Sequence, residues 1–223
     1  MKIDILTLFP EMFTPLKTSI IGRAVNDGKI EINVYDIRSY SKDKHKKCDD
    51  TPFGGGAGMV MTPQPIASAI DDIDPHHTAK RIYLSPKGRV FNQSVVFEYA
   101  KCDYLILLCG HYEGIDQRII DLYIDEELSI GDFVLTGGEI PAMAVTDAVC
   151  RYVSGVINAD SLAQESFTGG LLEYPHYTRP VEFMGLTVPE ILRSGNHGEI
   201  DKWRGQKALE ITKKNRPDLL EEK

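Results

Sequence analysis

The chain has 223 residues, 42% of them hydrophobic and 26% charged, with a formal net charge of −8 at pH 7. That length can bury a sizeable core, as one large domain with a smaller one beside it. The acidic balance argues against general attraction to nucleic acid, no apolar run is long enough to span a bilayer, and Cys48, Cys102, Cys109 and Cys150 show neither CxxC pairing nor metal-ligand spacing.

Lys2–Leu8 alternates as a strand and lacks the small-residue cleavage site of a secretory leader, so a reduced, cytoplasmic protein without a membrane partner is expected. Glu31–Ile37 reads as a second strand, with a helix between the two inside Glu11–Val25. Arg38, Lys42, Lys44, His45, Lys46 and Lys47 then crowd one polar stretch, which is either a solvated loop or a local RNA-binding patch. Asp50–Gly58 is too rich in glycine for a regular element. A helix follows around Pro65–Ile70, then a strand at Arg81–Leu84, a loop at Ser85–Arg89 and a helix at Asn92–Ala100. Tyr104–Cys109 is apolar throughout, as suits a strand covered on both faces. The loop Gly110–Gly114 and a helix at Asp116–Leu122 come next. Ile130–Leu135 reads as a strand running into the Gly137–Gly138 pair, and Pro141 lies near the start of a helix spanning Glu139–Val153. Paired glycines let backbone approach a ligand closely.

This alternation predicts an α/β fold with a largely parallel sheet. Three strand ends carry Gly or Pro loops, Tyr83–Gly88, Gly110–Gly114 and Leu135–Pro141, and all three emerge at the carboxyl edge where ligands bind in open sheets. Neither GxGxxG nor GxxxxGK[ST] occurs, which argues against a dinucleotide or P-loop site. Residues 1–157 form the expected first domain and 158–170 a polar linker. A small helical domain is expected over 171–223, where nine Lys/Arg balance nine Asp/Glu.

Nine motifs occur in order: Leu8-Phe-Pro-Glu-Met-Phe13, Gly22-Arg-Ala24, Asp49-Asp50, Gly54-Gly-Gly56, Tyr83-Leu-Ser-Pro86, Cys109-Gly-His-Tyr-Glu-Gly-Ile-Asp116, Ser129–Met143, Pro175-His-Tyr-Thr-Arg-Pro180 and Ser194-Gly-Asn-His197. Over essentially its whole length the chain thereby resembles the bacterial tRNA (guanine-N1)-methyltransferases, which modify the guanine just 3′ of the anticodon. The resemblance implies the SPOUT fold, a parallel sheet with a deep trefoil knot at its carboxyl edge. It also implies S-adenosylmethionine as methyl donor, and a homodimer whose active site is built across the subunit interface. Sequence pattern alone leads only to an ordinary doubly wound sheet.

By the same resemblance, the donor pocket maps onto Tyr83, Leu84, Ser85 and Pro86; onto Gly110, Tyr112, Glu113 and Gly114; and onto Ile130, Gly131, Asp132, Phe133, Val134, Leu135, Gly137, Gly138 and Pro141. Ile130, Val134 and Leu135 read equally as strand core. Phe133 stands where Tyr is common in the family, and His111 where Arg is usual. Neutral guanine N1 carries a proton, so methylation there needs a base, and a cation to steady the charge that spreads to O6. The family's positions for these roles are Glu165, where well-known members carry Asp, and Arg151. Alternatively, Arg151 pairs with Asp147 one helical turn away, and Glu165 is an exposed linker acid. Glu113 is a candidate Mg²⁺ contact or a turn-forming acid. Tyr177–Arg179, His197 and Trp203–Arg204 are further candidates for RNA contact. A knotted RNA-binding protein without strong catalysis is the competing expectation.

Overall fold

Side-chain alternation along two central strands decides the architecture. The structure, a computed structural model, describes residues 1–162 and 165–221. Its contacts divide the chain into two units, Met1–Ile157 and Asn158–Lys223. The first unit begins with β1 (Lys2–Thr7), a 3-10 segment (Pro10–Lys17), α1 (Ser19–Asn26) and β2 (Glu31–Asp36). It continues through β3 (Asp49–Asp50), β4 (Val60–Met61), α2 (Pro63–Ile73), β5 (Lys80–Val90) and α3 (Gln93–Tyr99). β6 (Tyr104–Cys109), α4 (Gln117–Tyr123), β7 (Glu126–Ser129) and α5 (Glu139–Cys150) complete it.

The main sheet has the order β2-β1-β6-β5-β7, and every pairing in it is parallel. Ile3 and Ile5 of β1, with Leu105 and Leu107 of β6, point to one face and pack with Ile21, Val95, Val145 and Val149 from α1, α3 and α5. Leu6, Ile106 and Leu108 point to the other and meet Ile66, Ile70 and Ile119 from α2 and α4. A sheet buried on both faces has no polar side to offer water, which explains the apolar run at Tyr104–Cys109. Helix starts follow local chemistry. The Asn92 side chain accepts from the amides of Ser94 (3.0 Å) and Val95 (3.2 Å), and Asp116 accepts from the Arg118 amide (3.0 Å).

Three expectations need correction. The helix expected inside Glu11–Val25 is two pieces, with Pro15 inside the first, where it has no N–H to donate. The last strand is Glu126–Ser129 rather than Ile130–Leu135, and Phe133, Val134 and Leu135 lie in the loop that follows, exposed by 54%, 83% and 37%. Among its described residues, the second unit is not simply helical. It contains α6 (Ala159–Leu162), an antiparallel hairpin of β8 (Glu182–Phe183) and β9 (Leu186–Thr187), and the long α7 (His197–Asn215), flanked by 3-10 turns at Glu190–Arg193 and Pro217–Leu220. The expected linker and second domain both include residues outside the described ones, 163–164 and 222–223.

β5 enters the sheet through a buried ion pair. The Arg81 guanidinium donates to Asp74 Oδ2 (Nε, 3.0 Å) and to the Asp74 carbonyl (2.7 Å), and both side chains are almost fully buried. Burial pushes the Asp74 carboxyl up, but the Thr78 amide and hydroxyl, the Ala79 amide and Arg81 together outweigh it and hold the group below its ordinary value. A depressed carboxyl contributes stability that is complete above its unfolded pKa of about 3.9 and fades as pH falls through the folded value. Arg81→Met should therefore cost about 3–5 kcal/mol near neutral pH. In urea unfolding, the gap from the wild type should narrow below about pH 4, as Asp74 protonates.

Candidate active site

Three loops leave the carboxyl edge of the sheet: Ser85–Gly88, inside the long β5, residues 110–116 after β6, and Ile130–Gly138 after β7. β5 pairs with β7 from Ile82 to Leu84, and its Arg89 and Val90 pair with β7 again, so that Leu84 and Arg89 are both partnered with Leu128. The intervening residues press on the β7 backbone, where a Cβ at Gly88 would strike the Glu127–Leu128 peptide.

The other two loops are joined directly. The Gly138 amide donates to the Gly110 carbonyl (2.9 Å), and His111 and Gly137 form a short antiparallel bridge. A Cβ at Gly138 would lie 2.7 Å from Cys109 Cα, and one at Gly110 would lie 2.7 Å from the Tyr83 hydroxyl. Those glycines thus serve loop-on-loop packing as well as any ligand. Gly138 then becomes the N-terminal flank of α5, and the buried Glu139 beside it accepts a hydrogen bond from Thr7 Oγ1 (2.8 Å).

Between the loops lies a cavity of about 240 Å³. Tyr83, Leu84, Ser85 and Pro86 line it from β5, and Gly110, Tyr112, Glu113 and Gly114 from the second loop. Ile130, Gly131, Phe133, Val134, Leu135, Gly137, Gly138 and Pro141 close it from the third loop and α5. Of the expected donor residues only Asp132, which is exposed, is not among the lining. Lining residues that sequence reasoning missed include Lys87, Gln117, Glu127 and Ser129. Glu127 is hard to find from sequence because the apolar residues that suggest a strand begin four residues after the true one, Glu126–Ser129.

The cavity lining mixes apolar and polar groups, and burial keeps the phenol among them neutral. Burial, and after it the charge of Glu127, pushes the Tyr83 phenol up to about 12. Burial, with Glu139 nearby, raises the Cys109 thiol well above its ordinary value, so it is no nucleophile. Glu127 Oε2 is buried without a hydrogen-bond partner, an acceptor left over for a ligand. Apolar walls, a close backbone cradle and a spare acceptor suit a nucleoside-sized molecule carrying its own hydrogen-bond donors.

The second loop also reaches outward. Glu113 N donates to the Met59 carbonyl (3.0 Å), and Met61 N to the Gly114 carbonyl (2.9 Å). β4, which holds Met61, pairs in turn with β3 at Asp49 and Asp50. The glycine-rich segment between these strands therefore hangs from the cavity loop, with Phe53 fully exposed. The Glu113 side chain lies against Gly58, where a Cβ would fall 2.5 Å from its Oε1. Among the described residues, no group of three or more His, Cys, Asp or Glu side chains is arranged to hold a metal ion.

Arg151 does not line the cavity; it is the partly buried C-terminal cap of α5, its amide donating to the Asp147 carbonyl (3.2 Å). Glu165 belongs to the second unit, partly buried in a turn where its carbonyl accepts from the Thr168 amide (3.3 Å). In that unit the Arg204 guanidinium lies 4.9 Å from the Tyr174 ring centroid, and the Tyr177 and Trp203 rings are 6.3 Å apart. No helix among the described residues is long and apolar enough to cross a membrane.

An all-parallel sheet whose carboxyl-edge loops enclose such a cavity defines an α/β protein built to hold a small organic ligand. The chain belongs to the tRNA (guanine-1)-methyltransferase family TrmD, whose model matches residues 1–222. It is 56% identical to the tRNA (guanine-N(1)-)-methyltransferase of Clostridium novyi, across 100% of this chain and 92% of that protein. The protein of the same name from Clostridioides difficile is 54% identical, across 98% of this chain and 97% of the relative. Membership implies S-adenosylmethionine as the methyl donor.

If loop-on-loop packing shapes the cavity, Gly138→Ala must force the second and third loops apart. It should cost about 1–3 kcal/mol in thermal unfolding and weaken S-adenosylmethionine binding in calorimetry. Unchanged binding would show that the cavity tolerates a wider spacing.

Proposed function

We propose that this protein transfers the methyl group of S-adenosylmethionine to N1 of the guanine immediately 3′ of the anticodon in tRNA. The observation that carries the reading is the coincidence of a full-length family match with a cavity lined by the residues expected to hold the donor. Bound there, S-adenosylmethionine supplies a methyl group already activated on a positively charged sulfur. The cavity's own groups have only to orient it and keep water away. The apolar walls from Ile130, Phe133, Leu135 and Pro141 suit the adenine, and loop amides suit its polar edge.

The harder task lies with the acceptor. The Glu165 carboxylate takes the proton from guanine N1, and the N1 lone pair forms the new bond to carbon as the carbon–sulfur bond breaks. Arg151 donates to O6, where negative charge gathers as the proton leaves. Glu165 reaches one methylene further than the Asp of well-known members, which changes the geometry and not the chemistry.

Dimerisation and a knotted carboxyl edge belong to this reading, with the active site built across the subunit interface. So does a linker over 158–170 that orders on RNA binding, followed by a tRNA-binding domain over 171–223. The basic stretch Arg38–Lys47, Tyr177–Arg179, His197 and Trp203–Arg204 would hold the RNA. Glu113 would serve as a single carboxylate contact for Mg²⁺, completed by water and substrate oxygens. A tRNA substrate places the activity in the cytoplasm.

Transfer of tritiated methyl groups into tRNA transcripts with guanine, and not adenine, 3′ of the anticodon is the direct test. Glu165→Ala and Arg151→Ala should each lower single-turnover rates by about 10²–10⁴-fold while donor binding stays intact. Near-normal turnover in Glu165→Ala would overturn the assignment of the base. A protein that binds tRNA and donor but transfers no methyl group would favour the non-catalytic reading.

A further inference from the structure

We propose that Glu127 supplies the counter-charge for the positively charged part of the bound methyl donor; the inference rests on the cavity being the donor site. Glu126 and Glu127 are adjacent acids on β7 with opposite fates. Strand alternation sends them to opposite faces. Glu126 is neutralised by Lys80 (2.8 Å) and Arg89 (3.3 Å). Glu127 sits opposite Tyr83 in the β5–β7 register, and both line the cavity. Among the described residues Glu127 forms no ion pair, and its Oε2 is buried without a hydrogen-bond partner.

Two carboxylates line the cavity, Glu113 and Glu127. Glu113 is exposed and rests against Gly58, whereas Glu127 is half-buried with its Oε2 out of reach of solvent. The Tyr83 phenol, held up at about 12, stays protonated at neutral pH and adds no second negative charge. A carboxylate oxygen shut away from water without a partner is costly. A neutral hydroxyl or amine on the ligand would satisfy an oxygen and leave the charge uncompensated. S-adenosylmethionine carries two positive charges, on the sulfonium and the α-ammonium, and one negative; the one lysine of the lining, Lys87, is exposed and makes no ion pair with Glu127, so a cation on the ligand can supply the partner that Oε2 lacks. The shared chemistry is that positive charge, and its two sources can be separated experimentally.

The test is titration calorimetry on the full chain, as wild type, Glu127→Gln and Glu127→Asp. The ligands are S-adenosylmethionine, S-adenosylhomocysteine, which lacks the sulfonium charge, and 5′-methylthioadenosine, which lacks both charges. Glu127→Gln should weaken S-adenosylmethionine roughly tenfold or more and leave methylthioadenosine within about twofold, which also shows that the cavity is intact. Glu127→Asp, which retains the charge, should bind S-adenosylmethionine more tightly than Glu127→Gln. An equal loss for S-adenosylhomocysteine assigns the contact to the ammonium, and no loss assigns it to the sulfonium. The inference is overturned if Glu127→Gln binds S-adenosylmethionine as the wild type does, or if methylthioadenosine falls as far as S-adenosylmethionine. A wild-type protein that binds none of the three would bring down the donor-site reading as well.

Discussion

The site depends on one close contact, the Gly138 amide donating to the Gly110 carbonyl, with Gly138 packed against the Cys109 backbone. No side chain fits between these segments, so the loops after β6 and β7 are held at backbone distance. Because α5 starts immediately at Glu139, the same contact sets where that helix begins. Thr7, bonded to buried Glu139, ties the start of α5 to the end of β1. Twelve residues later the helix delivers Arg151 at its far end. One glycine contact thus fixes a cavity wall and, through a rigid helix, the place of a candidate catalytic cation.

Burial divides the chemical labour. Tyr83 in the cavity lining and Cys109 in the adjoining core are both held in their neutral forms, so neither takes part in proton transfer near neutral pH. That suits a donor whose leaving group needs no protonation. The proton work falls instead to the acceptor side, where the proposed base lies outside the first unit.

Much of this was legible in the sequence, for identifiable reasons. Ile3, Ile5 and the Tyr104–Cys109 run announced a sheet covered on both faces, and glycine-bearing loops after successive strands announced the rim where the cavity lies. The error at the last strand has a physical cause. Phe133, Val134 and Leu135 are apolar because they wall a cavity, and a window of sequence cannot distinguish that from strand core. The true strand, Glu126-Glu-Leu-Ser129, looks too acidic, since the cations that neutralise Glu126 are 37 and 46 residues earlier in the chain, at Arg89 and Lys80. The purpose of Gly137–Gly138 was half visible: close approach was evident, but the approaching partner proved to be another stretch of this backbone. The Glu182–Thr187 hairpin offered only two residues per strand, too few for any periodicity to show.

The segment between β3 and β4 has a thermodynamic consequence. Gly54, Gly55, Gly56 and Gly58 all sit at positive φ, and Phe53 stands clear of the protein surface. Glycines forfeit more backbone freedom than other residues when they are fixed. Any partner that immobilises this segment must therefore offset a large loss of entropy, and engagement there will register as heat released against disorder surrendered. Affinity gained there is therefore smaller than the contact area alone would suggest.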